Sequence, residues 1–263
     1  MSPNTVLYAL IFGAVGVMVF AVFYGDERGW GAGLTLGVSF GALIVAAIVY
    51  AIYESARKRR RREAAPMAAA SLGLTAESAG GRPLPAMPPF ELMSRGMGRS
   101  AENVMSGDVG DDDVWLFDYT FYTESTTYNS TTGTTSTSRH DHYFSCVLAA
   151  LPGDAPAMTI GREGFFSKIA RGLGFEDVEL DDKDFDRRFK VKAADRDAAV
   201  AILDPVVRQW LMTSRDDVQY ELSGRYLLAY AKQRDLDELR ALLDAAVGFR
   251  EQLRGALTSS AGG

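Results

Sequence analysis

The chain has 263 residues and a formal net charge of −6, which is unevenly distributed along it. Residues 1–90 carry 8 basic and 5 acidic side chains, whereas residues 91–263 carry 20 basic and 29 acidic ones. The acidic second part argues against a nucleic-acid partner, because phosphate contacts need a basic surface. The single cysteine, Cys146, excludes an internal disulfide framework and a cysteine-rich zinc site.

Two uncharged apolar segments near the start, 5–24 and 32–53, are each long enough to span a bilayer. The first lacks a basic start and is followed at once by the second, so we interpret both as helices and not the first as a signal peptide. A short polar loop, residues 25–29, makes the two spans antiparallel. The sequence therefore predicts a transmembrane hairpin within residues 1–62.

Six consecutive cations follow the second span: Arg57, Lys58, Arg59, Arg60, Arg61 and Arg62. Because orientation follows the Lys/Arg excess of short flanking segments, we expect both termini in the cytoplasm and the protein in the inner membrane of the cell. The run either only sets this topology or also binds anionic lipid, at roughly 1 kcal/mol per basic residue. The lipid bilayer is thus the first expected partner.

Small residues predict a helix-packing face in the spans. Gly33, Gly37 and Gly41 recur every four residues of the second span, and Gly13 lies in the first. Such faces allow close helix approach, within the hairpin or between copies in a homo-oligomer. Neither span contains a charged residue, which argues against an ion or proton pathway.

Residues 63–89 are rich in Ala, Gly, Ser and Pro and contain five of the nine prolines. They show no sustained apolar period, so we expect a flexible linker that reaches on the order of 30 Å. A soluble domain is expected at 90–257 and a disordered tail at 258–263.

The soluble part begins with a predicted hairpin. Strand patterns at 103–106 and 114–122 flank an acidic turn at 107–113, which we expect to be solvated. Residues 123–138 contain 12 Ser or Thr among 16 residues, and threonine favours strands. This segment is either a polar hairpin arm or a disordered loop open to phosphorylation, and its strand-like flanks favour the arm.

The remaining elements complete an α+β fold with a mainly antiparallel sheet. We expect strands at 143–151, 158–161, 178–180 and 185–191, a helical stripe at 165–173, and either one kinked helix or two short helices around Asp204-Pro205. Two strands joined at Gly224 follow, the second of them central. Asp235 and Glu238 form a capping pair before a C-terminal amphipathic helix with Leu239, Leu243 and Phe249 on its apolar face.

The order of these segments resembles an uncharacterised family of bacterial two-span membrane proteins with a cytoplasmic domain of unknown function. The resemblance is carried by Gly98-Arg99, by residues 103–107, by Phe117-Asp118-Tyr119, by residues 185–191 and by the terminal helix. It implies no activity and no site residue. The strands with a C-terminal helix are also loosely similar to a pleckstrin-homology barrel, which assigns no function.

The sequence predicts no catalytic residue, cofactor or metal. His140 and His142 could share a strand face with Cys146 and are the best metal candidates, but no third protein ligand is indicated. Asp182, Asp184 and Asp186 have calcium-loop spacing, yet Arg187 stands at the glycine position and Ala193 at the glutamate position. No phosphate-binding loop, nucleophile elbow or HExxH motif is present.

Two functions follow from the sequence. The preferred one is a membrane-tethered cytoplasmic interaction or scaffolding module, whose acidic surface favours a basic protein partner. The alternative is a membrane-anchored enzyme with an unrecognised carboxylate or histidine site.

Overall fold

A computed structural model describes residues 3–27, 29, 32–131, 133–162, 175–215 and 217–260. The chain divides into two compact units, residues 1–64 and residues 65–263. Each unit is described by itself.

The first unit contains helix α1, Pro3–Glu27, and most of helix α2, Ala32–Leu72. Both predicted spans are therefore helical. Within the described residues, one helical segment, Phe40–Leu72, is long and apolar enough to cross a membrane by length and composition, and a shorter apolar segment covers Ala9–Ala21. This is one long apolar helix and not a clear two-helix hairpin.

Helix α2 continues past the basic run into the region expected to be a flexible linker. Residues 63–72 are helical with Pro66 inside the helix, and strand β1, Thr75–Ala76, and a 3-10 turn, Glu77–Ala79, follow. Ala65, Ala69 and Leu72 are buried in the core of the second unit. The alanine-rich composition that suggested a linker also has the highest helix propensity, and burial of one helix face orders it.

The second unit is built on an open, antiparallel seven-stranded sheet. Its strands are β1, β2 (Met97–Val109), β3 (Asp112–Asn129), β4 (Thr134–Gly161), β5 (Glu176–Val178), β6 (Lys190–Ala193) and β7 (Gln219–Lys232). The order is β1-β2-β3-β4-β6-β5, and β7 pairs with β4. The sheet is open in the described residues and so differs from the closed barrel suggested by analogy.

The long strand β4 organises this sheet. Its residues 144–149 lie between β3 and β7, and its residues 158–160 pair with β6 on one side and β7 on the other. The expected strands at 143–151 and 158–161 are thus parts of one strand. The two strands expected around Gly224 are likewise one, β7, which pairs only with β4 among the described strands and so is not central.

The expected β2–β3 hairpin and the polar arm are confirmed as paired strands. β2 and β3 pair up to Val109 opposite Asp112, and β3 and β4 pair without a register shift out to Asn129 opposite Thr134.

The strand expected at 185–191 is partly wrong. Helix α4, Lys183–Arg188, precedes β6, and the Asp182 carboxylate caps it by accepting from the Phe185 N–H at 3.2 Å. Phe185 and Phe189 are four residues apart, so a helical turn brings both to one side, where their rings stack at 5.0 Å. The helical stripe expected at 165–173 lies outside the described residues.

The remaining helices lie where the sequence predicted helices, with differences at the start and the end of the last one. Helices α5 (Arg196–Ile202) and α6 (Pro205–Thr213) are separated at Asp204, whose carboxylate caps α6. Helix α7 spans Leu239–Ser260 after a 3-10 turn, Leu236–Glu238, so it extends into the segment expected to be a disordered tail. Asp235 makes no side-chain cap bond, so the expected capping pair is not formed as predicted.

The sheet has a hydrophobic cluster on each face. The larger cluster includes Leu116, Val147, Leu227 and the apolar face of α7. The smaller cluster is aromatic and contains Trp115, Phe117, Tyr119, Phe121, Phe144 and Tyr230, with Phe90 and Leu92 packed against them. Both faces of the central strands are therefore buried.

Candidate functional site

A proline-rich segment, residues 82–95, covers the aromatic face of the sheet, and we call it the strap. Trp115 Nε1 donates to the Pro83 carbonyl at 3.0 Å, and the Tyr119 hydroxyl donates to the Met93 carbonyl at 3.3 Å. Phe90 is 2% exposed and Leu92 is 0% exposed. The prolines therefore belong to an extended segment packed on the sheet, where the sequence suggested a free linker.

The strap ends in a short helix, α3 (Glu91–Ser94), above a buried carboxylate of β7. The Glu221 side chain is 2% exposed. Its two oxygens accept from the Glu91 N–H at 2.5 Å and from the Leu92 N–H at 3.0 Å. Glu221 thus attaches the strap to the sheet.

Three further side chains complete this buried cluster. The Arg95 guanidinium forms an ion pair with Glu91, and both side chains are at most 10% exposed. The Tyr230 hydroxyl hydrogen-bonds to Glu221. Arg95 therefore pairs directly with Glu91 and attracts the buried Glu221 carboxyl only from a greater distance.

This arrangement shifts the proton affinities of the cluster. Burial, with a smaller effect of the neighbouring Glu91, raises the pKa of Glu221 to about 7. The two backbone N–H donors and Arg95 oppose that rise. Burial also raises the pKa of Tyr230 well above its usual value. Strand patterning in the sequence contains no signal for this cluster, because Glu91 and Glu221 are 130 residues apart in the chain.

A second buried polar group lies on the neighbouring strands. Asp118 is 4% exposed and accepts from Asn103 Nδ2 at 2.7 Å. Asn103 has a φ of 55°, a left-handed conformation that asparagine tolerates better than most residues. The Ser145 hydroxyl lies 3.5 Å from Asp118 and accepts from the Arg234 N–H. These contacts join β2, β3, β4 and the end of β7.

The acidic turn between β2 and β3 is held by arginines of this chain. Arg82 binds Asp113 and also Asp108, the latter at 3.0 Å. On the other side, Arg254 binds Asp112 at 2.5 Å, and the buried Arg250 donates to the Val109 carbonyl at 2.8 Å. The turn is partly exposed, as expected, and several of its carboxylates also form ion pairs with arginines of this chain.

The histidine candidates do not form a metal centre with Cys146. His142 stacks on Phe121 at 4.7 Å, and its Nε2 lies 2.9 Å from the Thr123 hydroxyl. Burial lowers the pKa of His142 and raises that of the fully buried Cys146. His140 is exposed. In the described residues no group of three or more His, Cys, Asp or Glu side chains is placed to hold a metal ion.

The calcium-like aspartates act locally. Asp182 caps α4, Asp186 accepts from the Leu180 N–H at 3.2 Å, and Asp184 lies 3.7 Å from Arg187. These contacts explain the spacing of the three aspartates without a cation.

The residues expected to pack or orient the membrane segment lie on α1 and α2. The six cations at 57–62 are helical, and Arg59 binds Glu63 at 2.7 Å. Among the described residues, no atom lies within 4 Å of a Cβ atom added at Gly13, Gly37 or Gly41, and Gly33 lies in the same helix α2 as the last two.

Comparisons with known proteins give little beyond a distant structural similarity. No family model matches the chain, and no curated protein matches it. Among solved structures it is similar to the mycobacterial trehalose monomycolate transport factor A, TtfA. Identity is 15% and the TM-score is 0.44, over 75% of this chain and 93% of that chain. A similarity of this degree assigns no function.

Proposed function

We propose that the protein is a membrane-anchored interaction module whose domain after the basic run lies in the cytoplasm. The observation that carries the proposal is the burial of Glu221, the carboxyl group whose raised pKa makes it the best candidate for a catalytic residue. Glu221 is 2% exposed, and both of its oxygens are engaged by backbone donors of the strap. A carboxylate sealed in this way holds a surface together and has no open side for a substrate.

The proposed partner is a basic protein, and the exposed acids around β5 and α4 are the surface for it. Glu176, Glu179 and Asp181 are exposed and form the centre of this surface. Asp177 and Asp184 are exposed as well, but they lie 3.7 Å from Lys192 and from Arg187. The acidic turn is a poorer candidate, because its carboxylates already bind Arg82 and Arg254. A charged surface of this kind speeds association and makes it sensitive to salt.

The test is in-cell crosslinking of the full chain, followed by identification of captured proteins, with charge reversals at Glu176 and Glu179. We expect one reproducible basic partner, whose capture the double variant Glu176→Lys/Glu179→Lys reduces severalfold. In a lysate, high salt should weaken capture of the same partner by the full chain in detergent. Asp154→Lys is the matched control, because Asp154 is also exposed but lies on β4. Equal capture by all variants would contradict the proposed surface.

The anchoring part of the proposal places both termini on the cytoplasmic side of the inner membrane. It is supported by the apolar part of α2 and by the six cations that follow it, which favour the cytoplasmic face and attract anionic lipid. A second span in α1 would complete the proposed hairpin. Because Gly37 and Gly41 have no side chains, a further helix could approach this face closely, including one from another copy.

The alternative function is a membrane-anchored enzyme. The raised pKa of Glu221, about 7, favours it, because groups that titrate near neutrality are frequent in active sites. Two variant proteins distinguish the enzyme from the interaction module. A turnover lost in Glu221→Gln or in His140→Ala/His142→Ala, without loss of the captured partner, would favour the enzyme.

A further inference from the structure

The polar arm, residues 124–139 of the β3–β4 hairpin, extends beyond both neighbouring strands. β3 pairs with β2 as far as Tyr122, which lies opposite Met97. β4 pairs with β7 as far as Phe144, which lies opposite Lys232. Within the described residues, positions 124–128 and 135–139 pair only with each other. The outer edges of the arm thus present rows of backbone N–H and C=O groups.

Natural sheet edges usually carry a feature that prevents pairing with another chain, such as a lysine, a proline or a bulge. This arm has none of them over 14 residues, because Ser125 to Ser138 contains no charged residue and no proline. Its internal register is continuous out to Asn129 opposite Thr134. The charges appear only at its base, where Arg139 binds Asp141 at 2.8 Å and lies over the Tyr122 ring. The arm is therefore a regular and unprotected edge.

The chemistry of the arm is complementary to itself. Serine and threonine pair well across strands, and Thr126 and Thr137 already do so, with their hydroxyl oxygens 3.3 Å apart. An antiparallel pairing of two identical arms would place such residues opposite one another without like charges. Elsewhere residues 91–263 have 20 basic and 29 acidic side chains, so two copies repel each other through most of that surface. The uncharged arm is where two copies can approach.

We propose that the arm is a self-association surface, through which two copies of this chain join edge to edge into a four-stranded antiparallel ladder. Backbone hydrogen bonds would provide the affinity, and the Ser/Thr side chains would set the register. Copies anchored in one membrane would pair more readily because their local concentration is higher. Only this enhancement rests on the proposed anchoring, and the pairing itself does not.

The experiment uses the full chain in lipid nanodiscs and in detergent, labelled at a single introduced cysteine. Thr127→Cys and Ser136→Cys lie opposite each other on the two strands of the arm, and the native Cys146 is fully buried. Energy transfer between labelled copies and thiol crosslinking report pairing. We expect transfer and a crosslinked dimer from at least one of the two positions.

A charged variant makes the test specific. Thr127→Lys and Ser136→Lys place a charge on the β3 edge and on the β4 edge of the arm, and at least one of them should reduce the dimer fraction severalfold, because symmetric pairing brings like charges together. Thr127→Val should retain it, since valine also favours strands. Ala201→Lys, at an exposed site on α5, adds the same charge away from the arm and should have no effect.

Three results would overturn the proposal. The first is a monomer at every protein density in both media. The second is a dimer that neither Thr127→Lys nor Ser136→Lys reduces. The third is loss of a captured protein in these variants with no change in self-association, which would assign the edge to another chain. Pairing in detergent but no enrichment in nanodiscs would contradict only the anchoring, so the two proposals fail separately.

Discussion

At the scale of single residues, the cation Arg95 lies in the buried cluster that holds the carboxyl groups of Glu91 and Glu221. Arg95 pairs with Glu91, and the second carboxyl, Glu221, lies beside them with backbone N–H donors as its main compensation. A buried charge without full compensation binds a proton more tightly, which is why the pKa of Glu221 rises to about 7. The strap is thus attached through a group that titrates near neutral pH.

This shift predicts a pH dependence of stability. Between the ordinary pKa of 4.5 and about 7, folded Glu221 retains a proton that the unfolded chain has released. The free energy of unfolding should therefore fall as pH rises through this window, by at most on the order of 3 kcal/mol, and level off above it. Glu221→Gln should flatten this slope, as measured by thermal unfolding of the full chain in detergent.

The exposed Glu179→Gln serves as the control and should keep the slope of the parent protein. A Glu221→Gln variant that retained the full slope would show that another group causes it. The informative quantity is the slope of the free energy of unfolding against pH. The absolute stability also changes in Glu221→Gln, because the amide NH₂ group replaces one of the two oxygens that accept hydrogen bonds from the strap.

Two arginines on one side of α7 provide a second prediction. Arg250 is 1% exposed and donates to the Val109 carbonyl, whereas Arg254 is 41% exposed. Arg250→Met should lower the free energy of unfolding by about 1–3 kcal/mol, because it removes the donor to the half-buried Val109 carbonyl and the buried cation beside Asp112. Arg254→Met should cost less than about 1 kcal/mol. Chemical denaturation in detergent measures both, and equal losses would contradict the assigned contacts.

At the scale of elements, the end of α2 is the clearest difference from the sequence-based expectation. A flexible linker would tolerate a charge at any position of 65–72. In the structure Ala69 is 0% exposed in the core, whereas the adjacent Ala70 is exposed. The helix end therefore belongs to the domain.

Paired substitutions on this helix test that assignment. Ala69→Asp should destabilise the protein by about 2–4 kcal/mol, because it buries an unpaired carboxylate, and Ala70→Asp should be close to neutral. Hydrogen exchange should show protected amides through 69–72. Two equally tolerated aspartates, together with fast exchange, would support the flexible linker instead.

The region around α4 shows why short elements are hard to predict. Phe185, Phe189 and Val191 alternate with charged residues, which suits a strand, yet Phe185 and Phe189 also suit one helical turn. The helical turn is favoured by the Asp182 cap and by the stacking of Phe185 on Phe189, which are both local contacts. Burial of the two rings in the core is the tertiary contribution.

At the scale of the whole molecule, the proposed topology makes a direct prediction. A reporter that is active only in the cytoplasm should work when fused to the C-terminus, and a periplasmic reporter should not. Neutralising residues 57–62 to glutamine should produce a mixed orientation, because the Lys/Arg excess is then lost. Neutralising Arg82, a single cation farther along the chain, is the control. Activity of the periplasmic reporter in the parent protein would reverse the topology.

The sequence by itself determined the features that depend on local pattern. The apolar helices, the β2–β3 hairpin, the polar arm, the break at Asp204-Pro205 and the buried face of α7 each follow from a period or a cap within a few residues. The tertiary structure alone decided the strap, the Glu221 cluster and the arginine network around the acidic turn. The contacting residues are far apart in sequence, and only the folded sheet brings them together. Examples are the contact of Glu91 with Glu221 and that of Arg254 with Asp112. Burial then gives ordinary charged residues roles that no local pattern encodes.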